Sequence, residues 1–205
     1  MKFNTRELVT MAVFGSLWGV VEIGLGSLFH VLDIPMSGTL MAAIGLSIAL
    51  TGRIFLPRKG STFFTGVIAS ILKLFSIGSV VIAPMIGILS EALIAELVLT
   101  LFRRPTRPAV LAAGGMGVLY TLLHPFITNP ILYGRGIFVI WLDLLDRGAR
   151  LFGLDSGVWL PIVLGLAGVH LILGILAGWI AWGVGSALRT RFAGSHLMMQ
   201  NSYKQ

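Results

Sequence analysis

The chain has 205 residues, 56% of them hydrophobic and only 11% charged, with a mean hydropathy of +0.94. Soluble domains carry roughly 25% charged residues, so a water-soluble globule is excluded: there is too little polar surface to cover it. Cysteine is absent, which excludes disulfides, thiolate metal sites and cysteine nucleophiles, while the net charge of +7 raises nucleic acid as a partner until the basic residues are placed along the chain.

The apolar runs last about twenty residues and do not alternate, which predicts membrane-spanning helices rather than a barrel of ten-residue strands. Residues 5–29 form the first run, which lacks the short core and small-residue cleavage site of a signal peptide. A turn at "HVLDIP" leads to a second span over 37–56, closed by "PRKG". The third and fourth spans, 60–77 and 84–102, are separated by the short link "GSVVIA". After "RRPTRP" comes a fifth over 109–128, and a sixth covers 159–188. The expectation is an all-α membrane protein of six spans. Residues 1–192 would make one transmembrane domain, with 193–205 a polar, disordered tail.

Between the fifth and sixth spans lies the one long connection, "NPILYGRGIFVIWLDLLDRGARLFGLDSG". Within it Phe138, Trp141, Leu142, Leu145 and Ala149 share a helical face, with Asp143, Asp146, Arg147 and Arg150 largely off it. This spacing predicts an interfacial amphipathic helix in an outer loop.

Orientation follows from lysine and arginine. Lys2, Arg6, Arg53, Arg58, Lys59, Arg103, Arg104, Arg107, Arg189, Arg191 and Lys204 fall on one side of a six-span arrangement. The other side holds Arg135, Arg147 and Arg150, beside Asp143, Asp146 and Asp155. Both termini are expected in the cytoplasm and the chain in the plasma membrane as a multi-pass protein. The basic residues then serve as topological signals and headgroup partners in the lipid bilayer, with no aromatic interleaving of the kind nucleic acid requires, so no nucleic-acid partner is expected.

Against this apolar background the intramembrane charges stand out. Lys73 lies about 6 Å below the outer end of the third span, and Glu22 and Glu91 about 10 Å below the outer ends of the first and fourth, at 1.5 Å per residue. His30 and His124 sit near the outer ends of the first and fifth spans, Asn129 just beyond, and Trp18 one turn below Glu22. A charge at mid-bilayer depth costs roughly 2.5–3.5 kcal/mol, so these groups must pair, meet water in a cavity, or meet a ligand. One reading has Lys73 pairing with Glu22 or Glu91 merely to pin helices; the other is an outward-opening polar pocket for a solute, with Trp18 or Trp141 stacking on a ring. Glu96, about 140° around the helix from Glu91 and deeper, reads as a separate helix contact, and His170 as a neutral core histidine.

Small residues form a second pattern. "MAVFGSLWG" sets Ala12 and Ser16 four apart and Gly15 and Gly19 four apart, with Gly26 extending the glycine row. Such spacing lets helix backbones approach closely, either inside the bundle or against another membrane subunit. The chain contains no GxxxxGK[ST], HExxH or GxSxG, and its histidines are too scattered to read as a metal site. No catalytic residues, metal or cofactor are expected, and no ATPase site of its own.

About 200 residues, six spans, cytoplasmic termini, no nucleotide site and the Ala12–Ser16 small-residue pair together resemble the substrate-binding S components of energy-coupling factor (ECF) transporters. The resemblance covers residues 5–191 and is architectural. It implies that the small-residue face of the first helix, through Ala12 and Ser16 or through Gly15 and Gly19, meets a membrane coupling subunit that carries two ATPase subunits. It also implies a ligand site in the outer half, drawing on Glu91, His124, Asn129 and the 133–146 segment, with "HVLDIP" as a lid. The function implied is capture of a vitamin or cofactor precursor, released inward when the loaded protein topples in the membrane. Relatives that bind nickel or cobalt use a histidine at the second position, where this chain has Lys2, so a metal substrate is not expected. Two rivals stand beside this reading: a proton-coupled carrier using Glu91 or Glu96, and a membrane scaffold whose charges only lock helices.

Overall fold

A computed structural model describes the backbone of residues 3–76, 81–102 and 105–202; the side chains of His30 and of residues 193–202 lie outside that description. Among the described residues there are seven helices and no strand: α1 Thr5–Val31, α2 Ser37–Phe55, α3 Ser61–Lys73, α4 Ile82–Thr100, α5 Arg107–Tyr133, α6 Ile137–Phe152 and α7 Trp159–Ser202. Five of them, α1, α2, α4, α5 and α7, are long and apolar enough to cross a membrane. The chain is therefore an all-helical protein of the multi-pass membrane type.

Its exterior supports that conclusion independently. Leu8, Val9, Val13, Leu17 and Val20 on α1, and Ile172, Leu176, Trp179 and Ile180 on α7, are exposed. The interior is instead rich in alanine and glycine, with Ala42, Ala49, Ala69, Ala92, Ala95, Ala109, Ala113 and Ala181 in one buried cluster. Large apolar side chains outside and small ones inside suit a hydrocarbon solvent, where backbone proximity rather than water exclusion drives helix association.

Helix α2 is the hub. It packs on α1, α3, α4, α5 and α7, and these neighbours form an arc in which α1 meets α3, α3 meets α4, α4 meets α5, and α5 meets α7. Among the described residues helix α6 packs only on α7 and α5. Between α5 and α7 the contact is backbone to backbone: a methyl group on Gly114 would overlap the Gly174 carbonyl, and one on Gly178 would press on the Val110 carbonyl. Gly174 and Gly178 form a GxxxG pair, "GILAG", that lies outside the row noted in the first helix.

Two elements differ from expectation. Helix α3 has 13 residues, about 20 Å at 1.5 Å per residue, and ends at Lys73 instead of reaching 77. Its last turn tightens through Leu74, Phe75 and Ser76 N–H bonds to Ile71, Leu72 and Lys73 carbonyls, and residues 77–80 lie outside the described set. Helix α5 runs on past 128, through Pro125 and Pro130, to Tyr133. A proline removes one backbone bond, which the interior of a helical bundle tolerates. The stop comes at Gly134, whose φ of 63° lets the Gly134 and Arg135 N–H groups turn back onto Pro130 and Asn129 carbonyls. Helix α7 keeps helical backbone through Ser202.

Helix α6 lies within the long connection. Trp141, Leu145 and Ala149 face α7 in a second cluster with Ile162 and Leu166, whereas Phe138 and Leu142 stay exposed.

Candidate functional site

Helix α3 links two buried polar layers. Ser61 lies in one and Lys73 in the other, about 18 Å apart at 1.5 Å per residue.

The layer at the C-terminal end of α3 gathers the charges that the sequence singles out. Lys73 Nζ lies 3.6 Å from Glu22 Oε2 and donates to the Glu22 carbonyl oxygen at 3.0 Å. The pair is thus Lys73 with Glu22, not Lys73 with Glu91. Both side chains are more than nine-tenths buried. Gly26, one turn beyond Glu22, leaves them room: a methyl group there would sit 3.4 Å from Lys73 Nζ and 3.7 Å from Glu22 Oε2. Glu91 enters from α4, buried, and lies within range of the Glu22 charge; it has no ion pair or side-chain hydrogen bond among the described residues. His124 arrives from α5. A methyl group on Gly87 would sit 3.6 Å from Glu91 Oε1 and 3.7 Å from His124 Nε2, so the glycine leaves a common space beside both. The His124 ring stacks edge-on to Tyr120 at 5.9 Å and lies by the Ala83 carbonyl, with Nδ1 buried and without a hydrogen-bond partner among the described residues.

Trp18 closes this layer from below. It is fully buried, its indole seated where Gly45 and Gly66 carry no side chain. Its N–H lies within reach of the Glu22 carboxyl but without hydrogen-bond geometry. In this arrangement Trp18 is a packed floor, with no open face for stacking on a ring.

The remaining candidates separate. Trp141 belongs to the α6–α7 cluster, 6.3 Å from Trp159 between ring centroids. Asn129 is half-buried near the end of α5, its carbonyl taken by the helix stop. The His30 side chain lies outside the described residues. On α1, Gly15 and Gly19 are used internally: a methyl group on either would collide with Ile68 or Leu72 of α3. Ala12 and Ser16 are on the exposed face. Of the two small-residue pairs, only Ala12 and Ser16 are free to meet another protein.

The second layer corrects the topological role expected of Arg53. That residue is not at a headgroup; it is 4% exposed and lies 3.3 Å from Glu96 Oε1, with a bond to Ser61 Oγ at 3.3 Å. Glu96 also accepts the N–H groups of Gly60 at 2.7 Å and Thr62 at 3.1 Å, capping the start of α3. Gly60 adopts φ 89° to present its N–H there. Glu96 is therefore the separate helix contact expected of it, joining α2, α3 and α4. The signal in the sequence was Arg53 inside "ALTGRIFL", two residues short of the helix end, but it was masked by the nearby "PRKG".

His170 also lies in the interior, with Nδ1 2.7 Å from the Leu166 carbonyl and Nε2 3.0 Å from Thr39 Oγ1. A neutral ring donating from Nδ1 leaves Nε2 to accept the Thr39 hydroxyl, tying α7 to α2. Thr39→Val should cost about 1 kcal/mol, seen as a fall of a few degrees in the melting temperature in detergent; an unchanged value would remove this bond from the account.

Comparison with protein-family models, with curated proteins and with solved structures gives no match.

Proposed function

We propose that this chain is the solute-binding membrane subunit of an ATP-driven importer for a vitamin or cofactor precursor, of the kind the S components of ECF transporters represent. In this reading it has six spans, one of them built on α3, both termini in the cytoplasm and α6 in an outer loop. The observation that carries the reading is a buried Glu22–Lys73 pair with a second carboxylate, Glu91, and a histidine, His124, converging on it from four helices. A structural pair alone accounts for Lys73 and Glu22; it leaves Glu91 without a partner among the described residues, in a site where each unpaired polar group is costly. The layer holds two carboxyl groups and one ammonium. This imbalance favours a small solute with a cationic nitrogen or ring N–H donors, which Glu91 and His124 would receive while Lys73 and Glu22 hold each other. Ala12 and Ser16 on the exposed face of α1 would meet the coupling subunit, itself attached to two ATPases.

Of the rival readings, a proton-coupled carrier retains Glu91 alone, because Glu96 is fully engaged by Arg53 and the α3 cap. A scaffold accounts for the Arg53–Glu96 layer but not for unpaired Glu91. Native mass spectrometry of protein purified from rich medium distinguishes them. A co-purifying nitrogenous small molecule is expected, and Glu91→Gln should reduce its occupancy about tenfold with little change in melting temperature, as loss of a charge-assisted hydrogen bond implies. Repeated preparations without any small molecule, or full occupancy in the variant, would sink the solute-binding reading.

A further inference from the structure

A cavity of about 410 Å³ opens at the opposite end of the molecule, among Arg6, Glu7, Thr10, Phe55, Leu56 and Arg189. It sits where the arc of helices fails to close. Among the described residues α1 and α7 each lie against α2 and not against one another. At about 100° per residue, the partly exposed Leu40, Ala43, Ile44, Ser47 and Ile48 fall on one stripe of α2; beyond the buried Thr51 on the same face, Phe55 lines the cavity. That stripe runs between two occupied sides. On one, Gly45 and Gly52 meet Trp18 and Phe14 of α1; on the other, Thr39 and Ile54 meet His170 and Gly185 of α7.

The charges at the mouth are unequal. Glu7 is committed: Oε2 accepts the Asn4 N–H at 2.9 Å, and Oε1 lies 3.5 Å from Arg58. Arg6 and Arg189 are both exposed and make no ion pair among the described residues. The crevice between α1 and α7 over this face of α2 thus ends in two cationic side chains from opposite walls. We infer that this crevice binds one anionic phospholipid, its phosphate held between Arg6 and Arg189 and an acyl chain laid along the α2 stripe. The chemistry is a phosphate ester joined to a hydrocarbon tail, which complements both parts of the site; a zwitterionic headgroup adds a cation beside the two arginines and is disfavoured. The lipid would close the arc between α1 and α7.

Native mass spectrometry of the full-length protein in detergent, supplied with equal amounts of phosphatidylglycerol and phosphatidylcholine of the same chain length, tests this. The unaltered protein should retain one phosphatidylglycerol in clear preference. Arg6→Gln with Arg189→Gln should reduce that retention about tenfold, since two basic side chains act on one phosphate. Lys59→Gln with Arg191→Gln removes the same charge from exposed positions outside the cavity and should leave retention unchanged. Arg6→Lys with Arg189→Lys provides a folded reference and should restore most of it. Equal retention of both lipids, equal losses in the two glutamine pairs, or displacement of the lipid by millimolar inorganic phosphate would each overturn the proposal, the last by showing a site for a free anion.

Discussion

Replacing Glu96 with alanine should destabilise the protein by about 3–5 kcal/mol, the largest effect expected of any polar substitution here. The change strands the Arg53 guanidinium, only 4% exposed, without its counter-charge. It also removes the acceptor of the Gly60 and Thr62 N–H groups. Removing one partner of a buried pair costs more than removing both, because the remaining charge keeps its desolvation penalty. Arg53→Met combined with Glu96→Met should therefore be markedly more stable than Glu96→Ala alone. Melting temperature and yield of monodisperse protein in detergent read both variants. A Glu96→Ala protein that melts like the unaltered chain would show that Arg53 is solvated and the layer open. Such an outcome would leave the solute-binding proposal standing, since Glu91 lies in the other layer.

The second large effect is steric. Gly114→Leu should prevent the close approach of α5 and α7, because the first added carbon already overlaps the Gly174 carbonyl and crowds the Gly178 N–H. Neither obstacle is a side chain that could rotate away. Overpacking of this kind typically costs about 1–3 kcal/mol and more when backbone must move, so Gly114→Ala should lower the melting temperature and Gly114→Leu should abolish a stable fold. Gly168→Ala and Gly183→Ala provide the contrast: both lie in α7 and a methyl group on either meets nothing within 4 Å. These two should be neutral, as helix positions with open space at the added carbon, where alanine is favoured over glycine. If all four substitutions behave alike, backbone contact does not hold α5 against α7.

Parts of the candidate site were legible because they depend on axial position alone. Counting residues at 1.5 Å each placed Glu22, Lys73 and Glu91 at one level, and the structure brings Glu22 and Lys73 to 3.6 Å with Glu91 in range of the Glu22 charge. Counting could not choose a partner for Lys73, since that depends on which face of each helix meets which neighbour. The same uncertainty applied to the small residues of α1. Spacing showed two possible pairs; only the packing of α3 reveals that Gly15 and Gly19 are taken and that Ala12 and Ser16 are exposed. Trp141 was grouped with the charges because it lies at a similar level, yet α6 packs on α7 and α5 and carries it elsewhere. Arg53 was misplaced for a related reason: an arginine two residues from a helix end, next to a basic loop, looks like a topological signal until Glu96 is found opposite it.

By itself the sequence determined that this protein is a bundle of apolar helices suited to a membrane, where most helices begin and end, and where along those helices the charged groups lie. Those properties follow from composition and from lengths along a rigid helix, so they are local and additive. The tertiary structure decided which charges pair, which glycines are spent on helix contact, that α3 is short and α5 long, and that a crevice remains between α1 and α7. Each of those depends on the rotation of one helix relative to another across tens of residues of chain, and in an interior built from alanine and glycine many rotations satisfy the same hydrophobic pattern. Only the sum of backbone contacts and buried polar bonds selects among them.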